Sequence, residues 1–154
     1  MPKDVQIRKY NSHSDDREYI NNWNQLQEIA AISNENALAV SSYGGLYDDS
    51  DNLWIIENDG TPVGCINVTL NVTHKSAEIG IMIGDRDKRR NGMGKIAMTQ
   101  ILEYIRTNHE MTTAIAYVHE RNHAARRLFE SVNFMAGNSV WFKQSRAIIY
   151  KITL

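Results

Sequence analysis

Cysteine is almost missing from this chain. Cys65 stands alone among 154 residues, which excludes an internal disulfide framework and a cysteine-rich zinc site, and points to a reducing, cytoplasmic setting with no structural metal. Proline is nearly as scarce, Pro2 and Pro62 both lying in the first half, and no stretch is rich in Gly and Ser or internally repeated. Neither a linker nor a solenoid is expected. No apolar run approaches the ~20 residues that span a bilayer, and the opening M-P-K-D-V-Q-I-R is too polar for a signal peptide. An excess of one charge is lacking too. The 17 basic and 18 acidic side chains leave a net charge of -1, so no global field recruits nucleic acid or an anionic membrane. What is present, 42% apolar and 23% charged residues in a chain of one-domain length, predicts a single globular domain over residues 1–154.

The first half is the less regular. Val5 to Tyr10 has the character of a short strand. Tyr19 to Ala31 carries apolar residues near helical spacing after a polar Ser/Asp stretch that can cap a helix, and Asn34 to Ser41 fits a second short helix. From Leu53 the period changes to two. Leu53 to Glu57 is apolar, N-D-G-T-P at 58–62 is a hairpin turn, Gly64, Ile66, Val68, Leu70 and Val72 alternate with Cys65, Asn67, Thr69 and Asn71, and Ala77, Ile79, Ile81 and Ile83 share a face. Connections this short make an antiparallel meander. Helical spacing follows from Gly92 to about Thr107, with a stripe of Ala97, Met98, Ile101, Leu102 and Ile105. Thr112 to Val118 is β-type, Asn122 to Val132 is a helix with Asn122 in capping position, and two strands near 134–142 and 146–152 finish the chain. A strand, a helix and a neighbouring strand require a crossover, so the sheet is mixed and the class is α+β.

The chemistry sits in I-G-I-M-I-G-D-R-D-K-R-R-N-G-M-G-K, residues 79–95. A buried strand ends, a basic loop follows and a helix starts. Arg86, Lys88, Arg89, Arg90 and Lys95 face two acids there, a local excess of positive charge in a near-neutral protein. Helix N-termini offer unpaired N–H groups and the positive end of the dipole to phosphate, and Gly92 and Gly94 remove side chains where a phosphate must approach the backbone. On local chemistry alone the segment fits a pyrophosphate site and fits equally a glycine-softened helix start beside a solvated charge run. A Walker loop is excluded because Ile96 follows Lys95, and the dinucleotide fingerprint fails at Ala97.

R-R-N-G-M-G resembles the [QR]-x-x-G-x-[GA] signature of the GCN5-related N-acetyltransferases (GNAT). Upstream, A-E-I-G-I-M-I-G-D resembles the strand that carries the acyl donor in that family. Downstream, Y-V-H-E-R-N-H-A-A-R-R-L-F-E-S-V-N-F resembles its strand and helix segment V-x-x-x-N-x-x-A-x-x-L-Y-E-x-x-G-F. Three ordered segments cover roughly Leu53 to Leu154. The step from Ile83 to Met93 is most similar to the branch holding ribosomal-protein alanine, spermidine and some amino-sugar acetyltransferases.

The resemblance implies a mostly antiparallel sheet of six to seven strands, splayed at strands four and five and flanked by about four helices. It implies acetyl-CoA as co-substrate, a primary amine as acceptor, and direct attack in a ternary complex, with room for a homodimer. Backbone groups of Ile81, Met82 and Ile83 would hold the pantetheine arm. Arg89, Arg90, Asn91, Gly92, Met93, Gly94 and Lys95 would cradle the pyrophosphate, Asn122 would contact the cofactor arm, and Met82 N–H would stabilise the oxyanion. Phe129 occupies the position of the family's acid-supplying tyrosine and has no proton to give. Glu78 is the leading base, with Tyr117 and His119 as alternatives; each is equally at home in a structural role, Glu78 as a carboxylate on a solvated strand face and His119 as a satisfied histidine. Asn133 stands where the family has glycine, and Asn tolerates positive φ. The acceptor side falls to Trp23, Tyr43, Tyr47 and the acids Asp48, Asp49 and Asp51, which also read as core aromatics and a solvated loop. The other class left open is a catalytically weak CoA-binding sensor or assembly protein of the same fold, and a third is a phosphate- or nucleotide-binding module unrelated to CoA.

Overall fold

The computed structural model describes residues 4–23, 52–84, 92–142 and 145–154. Within them one seven-stranded sheet runs in the order β1-β2-β3-β4-β5-β7-β6, with β1 at Val5–Lys9, β2 at Leu53–Asn58, β3 at Thr61–Asn71, β4 at Ser76–Ile83, β5 at Thr113–His119, β6 at Met135–Phe142 and β7 at Ser145–Thr153. Three helices are described: α1 over 16–23, α2 at Met93–Asn108 and α3 at His123–Ser131. The helix expected at Asn34–Ser41, and the continuation of α1 to Ala31, lie outside the described residues.

The meander forms because its turns suit its sequence. Asp59 and Gly60, with φ of 52° and 81°, make the two-residue turn with both central residues left-handed that matches strand twist. Asn71 Oδ1 accepts from His74 N at 3.1 Å, so the chain turns at Val72 and leaves that side chain 75% exposed. Val72 was expected on the strand's apolar face; the side-chain bond of its neighbour ends the strand one residue too early. Every strand pair is antiparallel except β4·β5, which α2 connects as the crossover.

Each face of the sheet has its own core. On one, Ile79, Ile81 and Ile83 of β4 and Ala114, Ala116 and Val118 of β5 pack under α2 and α3, together with the whole predicted stripe of α2. On the other, Leu53, Ile55, Cys65 and Met82 meet Ile20 and Trp23 of α1. Burying about six large aliphatic side chains completely on a face like the first contributes roughly 1.5–3 kcal/mol each. After α3 the chain reverses at Asn133, whose φ is 74°, and Phe134 N donates to Phe129 O at 3.0 Å. The left-handed residue expected of Asn133 is observed.

α1 begins earlier than its hydrophobic pattern suggests, at residue 16, because a distant strand holds its first turn. Asp16 is 2% exposed. Its carboxylate accepts from Arg8 Nη1 at 2.7 Å and Nη2 at 2.8 Å, and from Asn11 N at 2.9 Å. Arg8 Nε also donates to Glu57 at 2.8 Å. Tyr19 is 36% exposed rather than core, stacked on Trp23 at 5.7 Å. The hydrogen bonds from Arg8 hold the Asp16 carboxyl below its usual 3.8. A lowered folded-state value means that the stabilisation is complete above the unfolded value and is lost as pH falls through the folded one. Thermal melts of the protein and of Asp16→Asn are therefore expected to differ at neutral pH and to converge below about pH 4; a constant gap across that range overturns the assignment.

Candidate functional site

β4 and β5 pair in register only at Ser76↔Thr113, Ala77↔Ala114 and Glu78↔Ile115. The ladder stops there, although β4 has five further residues, to Ile83, and β5 four, to His119. From Glu78 onward β4 stays paired to β3 and β5 to β7, so the sheet opens as a wedge between them. Glu78 and Ile115 are the last rung.

Strand alternation sorts the predicted catalytic residues. Glu78 is in register with Ile115, so Glu78, Gly80 and Met82 share a sheet face with Tyr117 and His119. The structure thus brings Glu78, Met82, Tyr117 and His119 to one face on opposite sides of the wedge. Glu78 and Tyr117 are half-buried and His119 is exposed. His119 Nδ1 lies 2.7 Å from Ser145 Oγ, a partner that the sequence gives no local sign of, because β5 and β7 meet through a long-range register. Ile81, Met82 and Ile83 are buried at 0%, 0% and 4% exposure, so what they present to the wedge is backbone. Across β3, Gly64 admits this strand closely: a Cβ there would lie 2.2 Å from Met82 O.

At the wide end of the wedge the chain leaves β4 at Gly84. Trp23 sits on it: a Cβ at Gly84 would come within 2.0 Å of the indole. Trp23, considered for the acceptor side, is 6% exposed and is core. Arg89, Arg90 and Asn91, with Tyr43, Tyr47, Asp48, Asp49 and Asp51, lie outside the described residues.

The chain re-enters at Gly92, the N-cap of α2. Its φ is 81°, no side chain caps the helix, and no acid lies in the first turn. A Cβ on Gly92 would meet nothing within 4 Å. Among the described residues, then, the N-terminus of α2 faces open space with the N–H groups of Met93, Gly94 and Lys95 in its first turn, an arrangement that suits an anion. Gly94 has a different reason from the one expected. Its Cβ would lie 3.2 Å from both Leu128 methyl carbons, so its smallness lets α3 pack against α2 rather than a phosphate approach the backbone.

Asn122 caps α3, its Oδ1 accepting from Ala125 N at 3.1 Å, and is 7% exposed. Phe129 is wholly buried, edge-on to Phe134 at 5.1 Å and stacked on Tyr150 at 6.1 Å. Its expected place among the cofactor-binding residues is therefore, in the structure, a place in the core. Tyr150 donates to Glu130 Oε2 and accepts from Arg126 Nε on α3, and burial with that carboxylate raises its hydroxyl above the usual range. Cys65, cross-strand from Met82, is completely buried, and burial pushes its thiol up. No group of three potential metal ligands occurs among the described residues, and no described helix is long and apolar enough to cross a membrane.

An open wedge between parallel strands four and five, followed by a glycine-started helix, defines a class. The chain belongs to the acetyltransferase (GNAT) domain family, which it matches over residues 3–135. Acetyltransferase PseH of Campylobacter jejuni is 31% identical over 87 residues, 56% of this chain, and the match spans about half of that relative's length, 53%. In fold the chain is similar to aminoglycoside acetyltransferase AAC(6')-Ib in complex with coenzyme A, with TM-score 0.75, 15% identity, and 97% and 95% of the two chains covered. It is equally similar to spermidine N-acetyltransferase from Vibrio cholerae in complex with CoA and spermine, with TM-score 0.74, 18% identity, and 97% and 95% covered.

Proposed function

We propose that this protein transfers an acetyl group from acetyl-CoA to a primary amine, by direct attack within a ternary complex. The observation that carries the proposal is the parting of β4 from β5 after three rungs, immediately before the uncapped, anion-suited start of α2. Acetyl-CoA would supply a thioester, an acyl group already activated toward amines. The residues present fit it: the wedge offers β4 backbone to an extended arm, and the Gly92 turn leaves open the space a diphosphate needs.

Each residue then has a task. N–H groups from Arg89 to Lys95 hold phosphate oxygens, with Arg89 and Arg90 adding charge. The backbone of Ile81, Met82 and Ile83 orients the arm, and Met82 N–H faces the developing oxyanion, a donor worth about 2.7–4 kcal/mol where such donors have been removed. Asn122 orders the start of α3 beside the arm. Glu78, at the vertex of the wedge, takes the proton from the incoming ammonium, whose pKa lies near ~10. Tyr117, two residues beyond the last rung on the same face, protonates the departing sulfur in place of the hydroxyl Phe129 lacks; a thiol with pKa of about 8–9 makes that help modest. His119, held by Ser145, is the alternative proton carrier. Cys65, as the sole thiol, is too deeply buried for an acyl-cysteine intermediate, which favours direct attack. Polyamines, amino sugars and protein N-termini are the acceptor classes, in keeping with the spermidine and aminoglycoside acetyltransferases that share the fold.

One observation favours a second reading. Phe129, with no hydroxyl and no exposure, would suit a CoA-binding sensor or assembly protein as well as an enzyme. Thiol release from acetyl-CoA, measured over a panel of polyamines, amino sugars and N-terminal peptides, separates the two. Release with at least one amine is expected. CoA binding without release for every amine supports the sensor, and binding of ATP in preference to CoA overturns both.

A further inference from the structure

The two edges of the sheet are finished differently. β1 turns the N–H of Ile7 and the C=O of Val5 away from β2, and the Gln100 amide of α2 meets both. Its Oε1 accepts from Ile7 N at 2.9 Å and its Nε2 donates to Val5 O at 2.7 Å. One side chain thereby stands in for a neighbouring strand, and Arg8 and Lys9 add charge to that edge. β6, the other edge, has no such cover. Its sequence M-A-G-N-S-V-W-F holds no charge and no proline. Met135 is 76% exposed and Trp141 72%, and no backbone hydrogen bond to its outer side is made among the described residues. Natural sheets blunt bare edges with charge, proline or a covering element; here only the register shift between Ala136 and Ser139 interrupts the strand.

We infer that β6 is the surface through which two copies of this chain pair, antiparallel, into one continuous sheet. A two-fold axis sets a strand against its own reverse, so any charge on it would approach its duplicate. Eight uncharged residues meet no such repulsion and give a charged foreign peptide nothing to read. The backbone is aimed correctly. Arg146 O accepts from Glu120 N on the β5 side, so its neighbour Ala147 turns toward β6 and pairs with Val140. By alternation Ser139 and Trp141 turn their peptide groups outward. An axis near Ser139 sets Trp141 of one copy opposite Gly137 of the other, where the missing side chain leaves an indole room to lie.

The experiment reads assembly without cofactor or substrate, so it stands apart from the acetyl-transfer proposal. Sedimentation velocity from low to high micromolar protein is expected to show a dimer. Ser139→Pro removes an outward N–H while sparing the ladder to β7, and Trp141→Lys places like charges together. Both variants are expected to sediment as monomers with an unchanged circular dichroism spectrum. Should Ser139→Pro fail to fold, Trp141→Lys, at an exposed position, decides alone. A monomeric wild-type protein, or a dimer that persists in folded Trp141→Lys, overturns the inference.

Discussion

Gly92→Glu is expected to abolish acetyl-CoA binding while the fold stands. Glycine is needed here because φ is 81°, where a side chain costs about 1 kcal/mol or somewhat more. Space is not the difficulty, since a Cβ meets nothing within 4 Å. Part of the strain is offset, because a carboxylate at a helix N-terminus is stabilising by about 0.3–1 kcal/mol. That same carboxylate would occupy the position proposed for phosphate. Two like charges about 4 Å apart repel by about 4 kcal/mol at an effective dielectric constant of about 20, close to a thousandfold in affinity. Calorimetric titration should therefore lose the acetyl-CoA signal while the melting temperature moves by no more than about 4 °C. Retained affinity in a folded variant would remove the phosphate cradle from α2. Gly92→Ala, with the strain but not the charge, should keep most of the affinity.

Glu78→Gln is expected to lower turnover at neutral pH by about a hundredfold to ten-thousandfold, the usual contribution of a positioned proton acceptor. Affinity for acetyl-CoA should hold, because Gln keeps the shape of the last rung between β4 and β5. The pH–rate profile distinguishes a base from a merely structural carboxylate. Without the carboxylate the acceptor must arrive already deprotonated, so turnover should climb only toward the amine's own pKa near ~10. A profile of unaltered shape assigns the proton to another group, with Tyr117 and His119 next in line.

How much of this could be read beforehand depended on how local each cause is. The alternation of β3 and β4, the stripe of α2, the Asn122 cap and the left-handed Asn133 all arise within a few residues of sequence, and all were legible there. So were three short segments whose resemblance carried the fold. The remainder was set by contacts between distant parts of the chain. Arg8 decides where α1 starts, Leu128 decides why residue 94 is glycine, and Trp23 decides why residue 84 is glycine. Ser145 reaches His119 only after β7 has inserted between β5 and β6. Phe129 shows the same limit from the other side: its alignment with the family tyrosine was plain, but its complete enclosure by Phe134 and Tyr150 was not.

The lone sulfhydryl has a practical corollary. Because Cys65 is sealed inside the smaller core and held protonated, the folded protein should be silent toward chromogenic disulfide and maleimide reagents. Any colour that develops in a reaction mixture then belongs to the released coenzyme, with no blank to subtract for the catalyst. A cysteine introduced on the outside would in turn be the sole point of attachment for a dye or spin label, available without first stripping the native sequence of its own.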